Sequence, residues 1–197
     1  PQHIRATLQP GKPATIMMIG NGRDARAWAA ALSGIALAAA EGQDFLIFAD
    51  SLAARRADLW TLARSLKLLD RLSLIEELEG RRDLMLHGDI LMLPEAGGEQ
   101  RSVVLEAMAC GMLLVAAHDK ESSVLQEGRT AALVANNTAQ SWAACLTDLI
   151  RNPAKSVALA ASAHLFVQVH RRASDHVRGV ISAYEYLATG ESIPFGG

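Results

Sequence analysis

The sequence contains few cysteines, little net charge and no long apolar run. Its 197 residues include only Cys110 and Cys145, which give no disulfide framework and fit a reducing compartment. The formal net charge of −2 argues against a nucleic-acid partner, because such a partner needs a basic face. No apolar run reaches the roughly 18 residues that cross a bilayer. We therefore expect a cytoplasmic protein, and the lack of a signal sequence after Pro1 suggests a segment of a longer chain.

Several catalytic motifs are absent as well. The sequence has neither a G-x-S-x-G nucleophile elbow nor a P-loop, so hydrolase and nucleotide-triphosphatase activities lack their motifs. His164, His170 and His176 are spaced by six residues and cannot share one helical face, so we expect no metal site. His118, after a predicted strand, fits either a site residue or a surface-loop histidine. Three scattered arginine pairs are predicted to lie on solvated faces: 55–56, 81–82 and 171–172.

Short apolar runs alternate with helical patterns along the chain, half of which is hydrophobic. The predicted strands are residues 14–19, 45–48, 72–75, 90–93, 113–117 and 131–134. The predicted helices are residues 25–40, 57–69, 81–87, 102–110, 122–126, 139–150 and 153–187. Six alternations of strand and helix indicate an α/β domain with a doubly wound, Rossmann-like parallel sheet and C-terminal helices. We assign residues 14–188 to this domain, residues 1–13 to a linker and residues 189–197 to a flexible tail.

The stretch from Asp89 to Ala117 predicts a buried strand, an acidic glycine-bearing loop, a helix and a second buried strand. Ser102 is the predicted N-cap of the helix and Gly111 its C-cap, which places Glu106 in the first turn. Open α/β sheets bind ligands in such a loop, at the carboxyl end of a strand and the start of a helix. The free N–H groups and the helix dipole favour a phosphate there.

An earlier turn has the spacing of a dinucleotide-binding loop. Gly20, Gly22 and Ala25 form G-x-G-x-x-A between the first predicted strand and helix, and Asp50 closes the second strand. A nicotinamide-dependent oxidoreductase is therefore one alternative. Asp50 lies 30 positions after Gly20, however, which is further than the roughly 20 of the usual fingerprint.

The central stretch also resembles a known family. Asp89 with LMLP, then VLEAMACG and an apolar strand, is similar to the donor-binding domain of retaining GT-B glycosyltransferases of the GT4 (group 1) family. EGRTAALV at 127–134 and the Tyr184-Glu185 pair resemble further segments of that family, so the resemblance covers nearly all of the chain. It implies the C-terminal half of a GT-B enzyme, which transfers a sugar from a nucleotide diphosphate sugar without a metal or other cofactor.

The resemblance also implies roles for particular residues. Glu106 would accept hydrogen bonds from the ribose hydroxyls, since an ionised carboxylate has two oxygens for a vicinal diol. Arg23 and Arg26 would neutralise the donor diphosphate as charge builds on the leaving group. The catalytic set implied in this way is Glu99, Glu106, Arg23 and Arg26. The donor-binding set contains these four residues and adds others that would contact the sugar or phosphate: Gly20, Gly22, Gly97, Gly98, Gln100, Arg101, Ser102 and Val103.

Two positions depart from the family pattern. The family places a glutamate where this sequence has Gly98, and often another where it has Ser123, so a degenerate, non-catalytic module is a second alternative. The resemblance further implies an acceptor-binding N-terminal domain that this chain lacks. The resemblance leaves open whether that domain makes peripheral contact with the inner face of the membrane.

Overall fold

A computed structural model describes Leu8 and residues 12–76, 78–95, 101–120, 122–170 and 184. These residues form a six-stranded sheet with helices packed on both faces. The strands are β1 (Ala14–Met18), β2 (Phe45–Asp50), β3 (Leu72–Ile75), β4 (Ile90–Leu93), β5 (Leu113–Ala117) and β6 (Ala132–Val134). The helices are α1 (Ala25–Ala40), α2 (Ser51–Arg56), α3 (Leu59–Ser65), α4 (Leu78–His87), α5 (Arg101–Ala109), α6 (Ala139–Arg151) and α7 (Pro153–His170), with a 3₁₀ turn at Leu69–Arg71.

All strand pairs are parallel, and the spatial order is β3-β2-β1-β4-β5-β6. The predicted doubly wound sheet is therefore confirmed. The order reverses between β1 and β4, which lie side by side with Ile16 opposite Ile90. Ligands of such sheets bind at this reversal, beyond the carboxyl ends of the strands.

The sheet separates two apolar cores. Ile16 and Met18 of β1 face the core under α1 and α6, whereas Met17 faces the core under α5 and α7. Successive strand residues point to opposite faces, so a strand that is covered on both sides must be apolar at every position. This explains why the strands read as continuous apolar runs in the sequence.

Helices α1 and α6 pack closely because a glycine lies at their contact. A Cβ built on Gly34 would lie 2.3 Å from Cβ of Trp142 and 2.9 Å from the carbonyl oxygen of Ala139. The Trp142 ring is fully buried, and its Nε1–H donates to Oδ1 of Asn137 at 2.6 Å. The Asn137 amide in turn donates to the carbonyl of Pro94 at 3.0 Å, which fixes the end of β4.

Several predicted element boundaries are confirmed. Strands β3, β4 and β5 have the predicted bounds, and α1 and α5 end before Gly42 and Gly111, both with positive φ. Thr138 caps α6 by accepting from the N–H of Ser141, and α7 begins at Pro153. The predicted continuation of α7 to residue 187 and the tail at 189–197 fall outside the described residues, apart from Tyr184.

The predicted helix at 57–69 is confirmed only in its middle, where α3 covers Leu59–Ser65. Asp58 and Lys67, on either side of α3, have positive φ and limit it. The sequence prediction missed α2, whose first N–H groups, those of Leu52 and Ala53, donate to the Asp50 carboxylate. The segment 122–126 is not helical. Its turn is held by the buried Thr130 hydroxyl, which donates to the carbonyl of Val124 at 2.6 Å and accepts from the N–H of Gln126.

The ends of the chain add two observations. Of the predicted linker at 1–13, Leu8 is buried at 5% exposure and packs in the core under α1. No helix in the described part of the chain combines the length and the apolar character that a bilayer crossing requires.

Candidate nucleotide-sugar site

The loops after β1 and β4 meet at the carboxyl edge of the sheet, where the strand order reverses. The meeting point is the Glu95 carboxylate, directly after the end of β4. Its Oε2 accepts from the N–H of Asn21 at 2.8 Å and of Gly22 at 3.1 Å, and its Oε1 accepts from the N–H of Asp24 at 2.7 Å. Three N–H groups of the β1–α1 loop therefore bind a carboxylate that belongs to the same chain.

The two glycines of the predicted dinucleotide turn have structural roles in this loop. A Cβ on Gly20 would lie 2.6 Å from Oε2 of Glu95 and 2.9 Å from the Trp28 ring. Gly22 has φ +72°, and a Cβ there would lie 2.7 Å from the backbone of Ala53. Both positions need glycine for reasons that involve no ligand.

Arg23 lies just before α1, Arg26 is the second residue of that helix, and both are exposed. The N–H of Arg23 donates to Oδ1 of Asn21, and the N–H of Arg26 donates to Oδ1 of Asp24, the N-cap of α1. Two exposed arginines therefore lie close to the carboxyl end of β1 in the chain, and a guanidinium group there can bind an anionic ligand.

A groove of about 600 Å³ runs between α4 and α5. Because α4 follows β3 and α5 follows β4, the groove begins at the same edge of the sheet. Glu106 is exposed and lines it together with Arg81 and Arg82. The remaining lining residues are Met85, Leu86, Ser102, Val103, Ala109 and Cys110. An apolar groove with a few charged groups at its rim is typical of a small-molecule site.

Glu106 is the sixth residue of α5, so it lies in the second turn rather than the first. The predicted N-cap at Ser102 is also wrong, because the helix already includes Arg101. Ser102 is exposed and lines the groove, whereas Val103 is mainly buried at 7% exposure. The predicted contacts at Gly97, Gly98, Glu99, Gln100 and the Arg101 side chain lie outside the described residues.

One wall of the groove was missed by the sequence prediction, which placed the arginine pair 81–82 on a solvated face. Arg81 Nη2 lies 2.8 Å from Oδ2 of Asp50, and the two side chains are 31% and 17% exposed. The other oxygen of Asp50 caps α2, so this carboxylate is engaged on both sides. The pair fixes the guanidinium near the groove. No local signal joins residues 31 positions apart, so only the fold reveals this contact.

Another arginine pair supports the β1–α1 loop. Arg56 Nη1 donates to the carbonyl of Asn21 at 2.8 Å, and Arg55 forms an exposed ion pair with Glu76 at 3.3 Å. The third pair, 171–172, lies outside the described residues. The loop is therefore held by a cation from α2 and by the Glu95 carboxylate from β4.

The remaining sequence candidates lie away from the groove. Asp89 is at the amino edge of the sheet, where its carboxylate accepts from the N–H of Thr15 at 2.8 Å. His118 is exposed, and its N–H donates to the carbonyl of Val134. Nδ1 of His164 contacts the carbonyl of Met108 at 3.2 Å. Within the described ranges, no three His, Cys, Asp or Glu side chains are grouped so that they could hold a metal ion.

Neither cysteine forms a disulfide in the described part of the chain. Burial is the main cause that raises the pKa of the Cys145 thiol to about 11, and the negative charge of Glu127 adds to it. At neutral pH this thiol is protonated, and a protonated buried thiol is a poor nucleophile. Cys145 is thus a partly buried side chain that packs against the core under α1 and α6.

Comparison with solved structures finds the same fold in glycosyltransferases. The sucrose-phosphate synthase of Thermosynechococcus elongatus has a TM-score of 0.72 and 19% identity, over 95% of this chain and 49% of its own. HepE from Anabaena, solved with UDP and glucose, has a TM-score of 0.73 and 17% identity, over 94% and 51%. This chain spans about half the length of both.

A third structure is itself a single domain. The C-terminal domain of the group 1 glycosyltransferase LpcC from Francisella tularensis has a TM-score of 0.64 and 16% identity, over 83% of this chain and 88% of its own. At these identities the likeness shows the fold, which is one half of a GT-B enzyme. A search of curated proteins finds no match.

The sequence itself decides the family. The sequence model described as "Glycosyl transferases group 1" matches residues 3–152, which is most of the chain and includes β1 to α6. The predicted resemblance is therefore confirmed, and this chain belongs to the group 1 glycosyl transferases.

Proposed function

We propose that this chain is the donor-binding domain of a glycosyltransferase and that the groove between α4 and α5 receives the nucleoside of a nucleotide diphosphate sugar. The observation that carries the proposal is the exposed Glu106 carboxylate in that groove, beside Arg81 and Arg82. A carboxylate can accept both hydroxyls of a ribose, and a guanidinium can stack on a base or bind a phosphate. The apolar side chains of Met85 and Val103 supply contact area for the nucleoside.

The rest of the donor is assigned by the same proposal. Arg23 and Arg26, exposed at the start of α1, would balance the charge that develops on the diphosphate as the sugar leaves. The segment 97–100 and the N–H groups at 101–103 would hold the sugar and the phosphate. Transfer would retain the anomeric configuration and need no metal, and the acceptor would bind to a second domain. The free cysteines support a cytoplasmic, reducing location.

Calorimetric titration of the chain with UDP, GDP and ADP tests donor binding. We expect weak but saturable binding of one of the three, and no sugar transfer by the chain alone, because the acceptor would need the other half of the fold. Binding of none of them would favour the degenerate module that Gly98 and Ser123 suggest. Detectable sugar transfer by the isolated chain would contradict the proposal that the acceptor binds to a second domain.

Titration with NADH in parallel separates the nicotinamide alternative. Both features on which that alternative depends are engaged within the protein: the N–H groups of Asn21 and Gly22 in the G-x-G turn donate to Glu95, and Asp50 pairs with Arg81 and caps α2. We therefore expect no NADH binding. The family assignment agrees with this expectation.

A further inference from the structure

The β1–α1 loop has the form of a phosphate site but holds a carboxylate. Consecutive backbone N–H groups that converge after a strand and before a helix are a common binding site for phosphate groups. Here the N–H groups of Asn21, Gly22 and Asp24 converge on Glu95 at 2.7 to 3.1 Å. Hydrogen bonds to an ionised acceptor are stronger than neutral ones, so three of them hold the carboxylate firmly.

We propose that Glu95 is a specificity-determining residue whose carboxylate acts as an internal anion and keeps phosphate groups out of the β1–α1 loop. A ligand anion would have to displace a charge that belongs to the same chain and is already in place. The donor diphosphate is thereby left to side-chain cations such as Arg23 and Arg26. A dinucleotide, whose pyrophosphate needs the loop N–H groups themselves, is excluded.

The backbone of Glu95 is fixed independently of the loop. Pro94, the preceding residue, is buried, and its carbonyl accepts from Nδ2 of Asn137 at 3.0 Å. Asn137 is itself held by the buried Nε1–H of Trp142 at 2.6 Å. Because the backbone next to Glu95 is anchored by Asn137, less conformational entropy is lost when the carboxylate binds the loop. An internal group of this kind competes with a free ligand at a high effective concentration.

The loop is also shaped around this carboxylate. Only glycine at position 20 leaves room for Oε2 of Glu95, since a Cβ would lie 2.6 Å away. The neighbouring N–H groups have acceptors too: Arg23 donates to Asn21 Oδ1, and Arg26 and Ala27 donate to Asp24 Oδ1. Asp24 adds a second negative charge at the start of α1, which further disfavours a ligand anion.

The test is a titration with inorganic pyrophosphate, followed by the backbone amide NMR signals of Asn21, Gly22 and Asp24. All chains carry Arg23→Ala and Arg26→Ala, so that the side-chain cations assigned to the diphosphate cannot shift these signals. In this reference chain, where Glu95 is intact, we expect no saturable shift. When Glu95→Ala is added the N–H groups lose their acceptor, and we expect saturable shifts and an affinity at least about tenfold above that of the reference chain. Glu76→Ala is the matched control, because it removes an exposed charge elsewhere and should behave like the reference chain.

Two results would overturn the proposal. One is a saturable shift of the three signals in the reference chain, in which Glu95 is intact and the two arginines are replaced. The other is a folded Glu95→Ala chain that gains no affinity for pyrophosphate. If the alanine variant does not fold, Glu95→Gln, which keeps the shape but loses the charge and one acceptor, should give a smaller gain, and the absence of any gain counts against the proposal. The titration does not involve Glu106, so its failure would be separate from a failure of nucleotide binding in the groove.

Discussion

Replacement of Glu106 by alanine should lower the affinity of the chain for its preferred nucleoside diphosphate by roughly 10- to 100-fold. Hydrogen bonds to a charged group contribute about 1.5–3 kcal/mol, and a ribose offers two hydroxyls to one carboxylate. Calorimetry with the nucleotide identified among UDP, GDP and ADP measures the change. Glu106 is exposed, so the substitution should leave the thermal midpoint nearly unchanged.

Two control variants distinguish the effect of the Glu106 carboxylate from the effect of the overall surface charge. Glu106→Gln keeps the size of the side chain and one good acceptor, and we expect an intermediate loss of affinity. Asp83→Asn makes the same change of charge at an exposed position of α4 that is not among the residues lining the groove, and it should have little effect. Full nucleotide affinity in Glu106→Ala would refute the ribose assignment.

The second large effect is expected at the contact between α1 and α6. Gly34→Ala should destabilise the fold by about 2 kcal/mol or more, since overpacking of a tight core costs about 1–3 kcal/mol. The new methyl group would meet Cβ of Trp142 at 2.3 Å and a carbonyl oxygen of α6 at 2.9 Å. Neither atom is the flexible end of a side chain, so relief requires the two helices to move apart. Chemical denaturation measures the loss.

Gly80→Ala is a matched control within α4, because it makes the same change in a helix where the added Cβ meets no described atom within 4 Å. Alanine is a better helix former than glycine by about 1 kcal/mol, so this variant should gain stability. At about 2–4 °C per kcal/mol for a chain of this size, the two midpoints should move in opposite directions. Equal effects of the two variants would show that helix propensity, and not the close approach of α6, governs position 34.

Most of the fold could be predicted because its signals are local. Strands covered on both faces must be continuously apolar, and Gly42, Gly111 and Thr138 mark helix ends through their own backbone or side-chain chemistry. The helix predicted at 122–126 is wrong because the observed turn is held by the hydroxyl of Thr130, which lies beyond that segment. Propensity within the segment could not reveal this bond.

The site was predictable only in part. The sequence predicted that Glu106 follows β4 and that Arg23 and Arg26 follow β1. The order of the elements is enough to place all three residues near the carboxyl ends of those strands. Sequence cannot tell which of several acidic side chains binds another part of the protein. Glu95 is one acid near the motif, and only the structure shows that its carboxylate accepts from the N–H groups of the β1–α1 loop. The pairing of Arg81 with Asp50 likewise depends on how α4 crosses the sheet.

The adjacency of β1 and β4 has a consequence for how the chain is made. On the ribosome, β1 can pair with β2 at once, but its other side stays open until α2, α3, β3 and α4 have all been synthesised. During that interval an apolar strand presents unsatisfied main-chain groups, which is the condition under which chains associate with one another. The strand order thus leaves β1 as an open edge of the sheet while residues 51–89 are being synthesised.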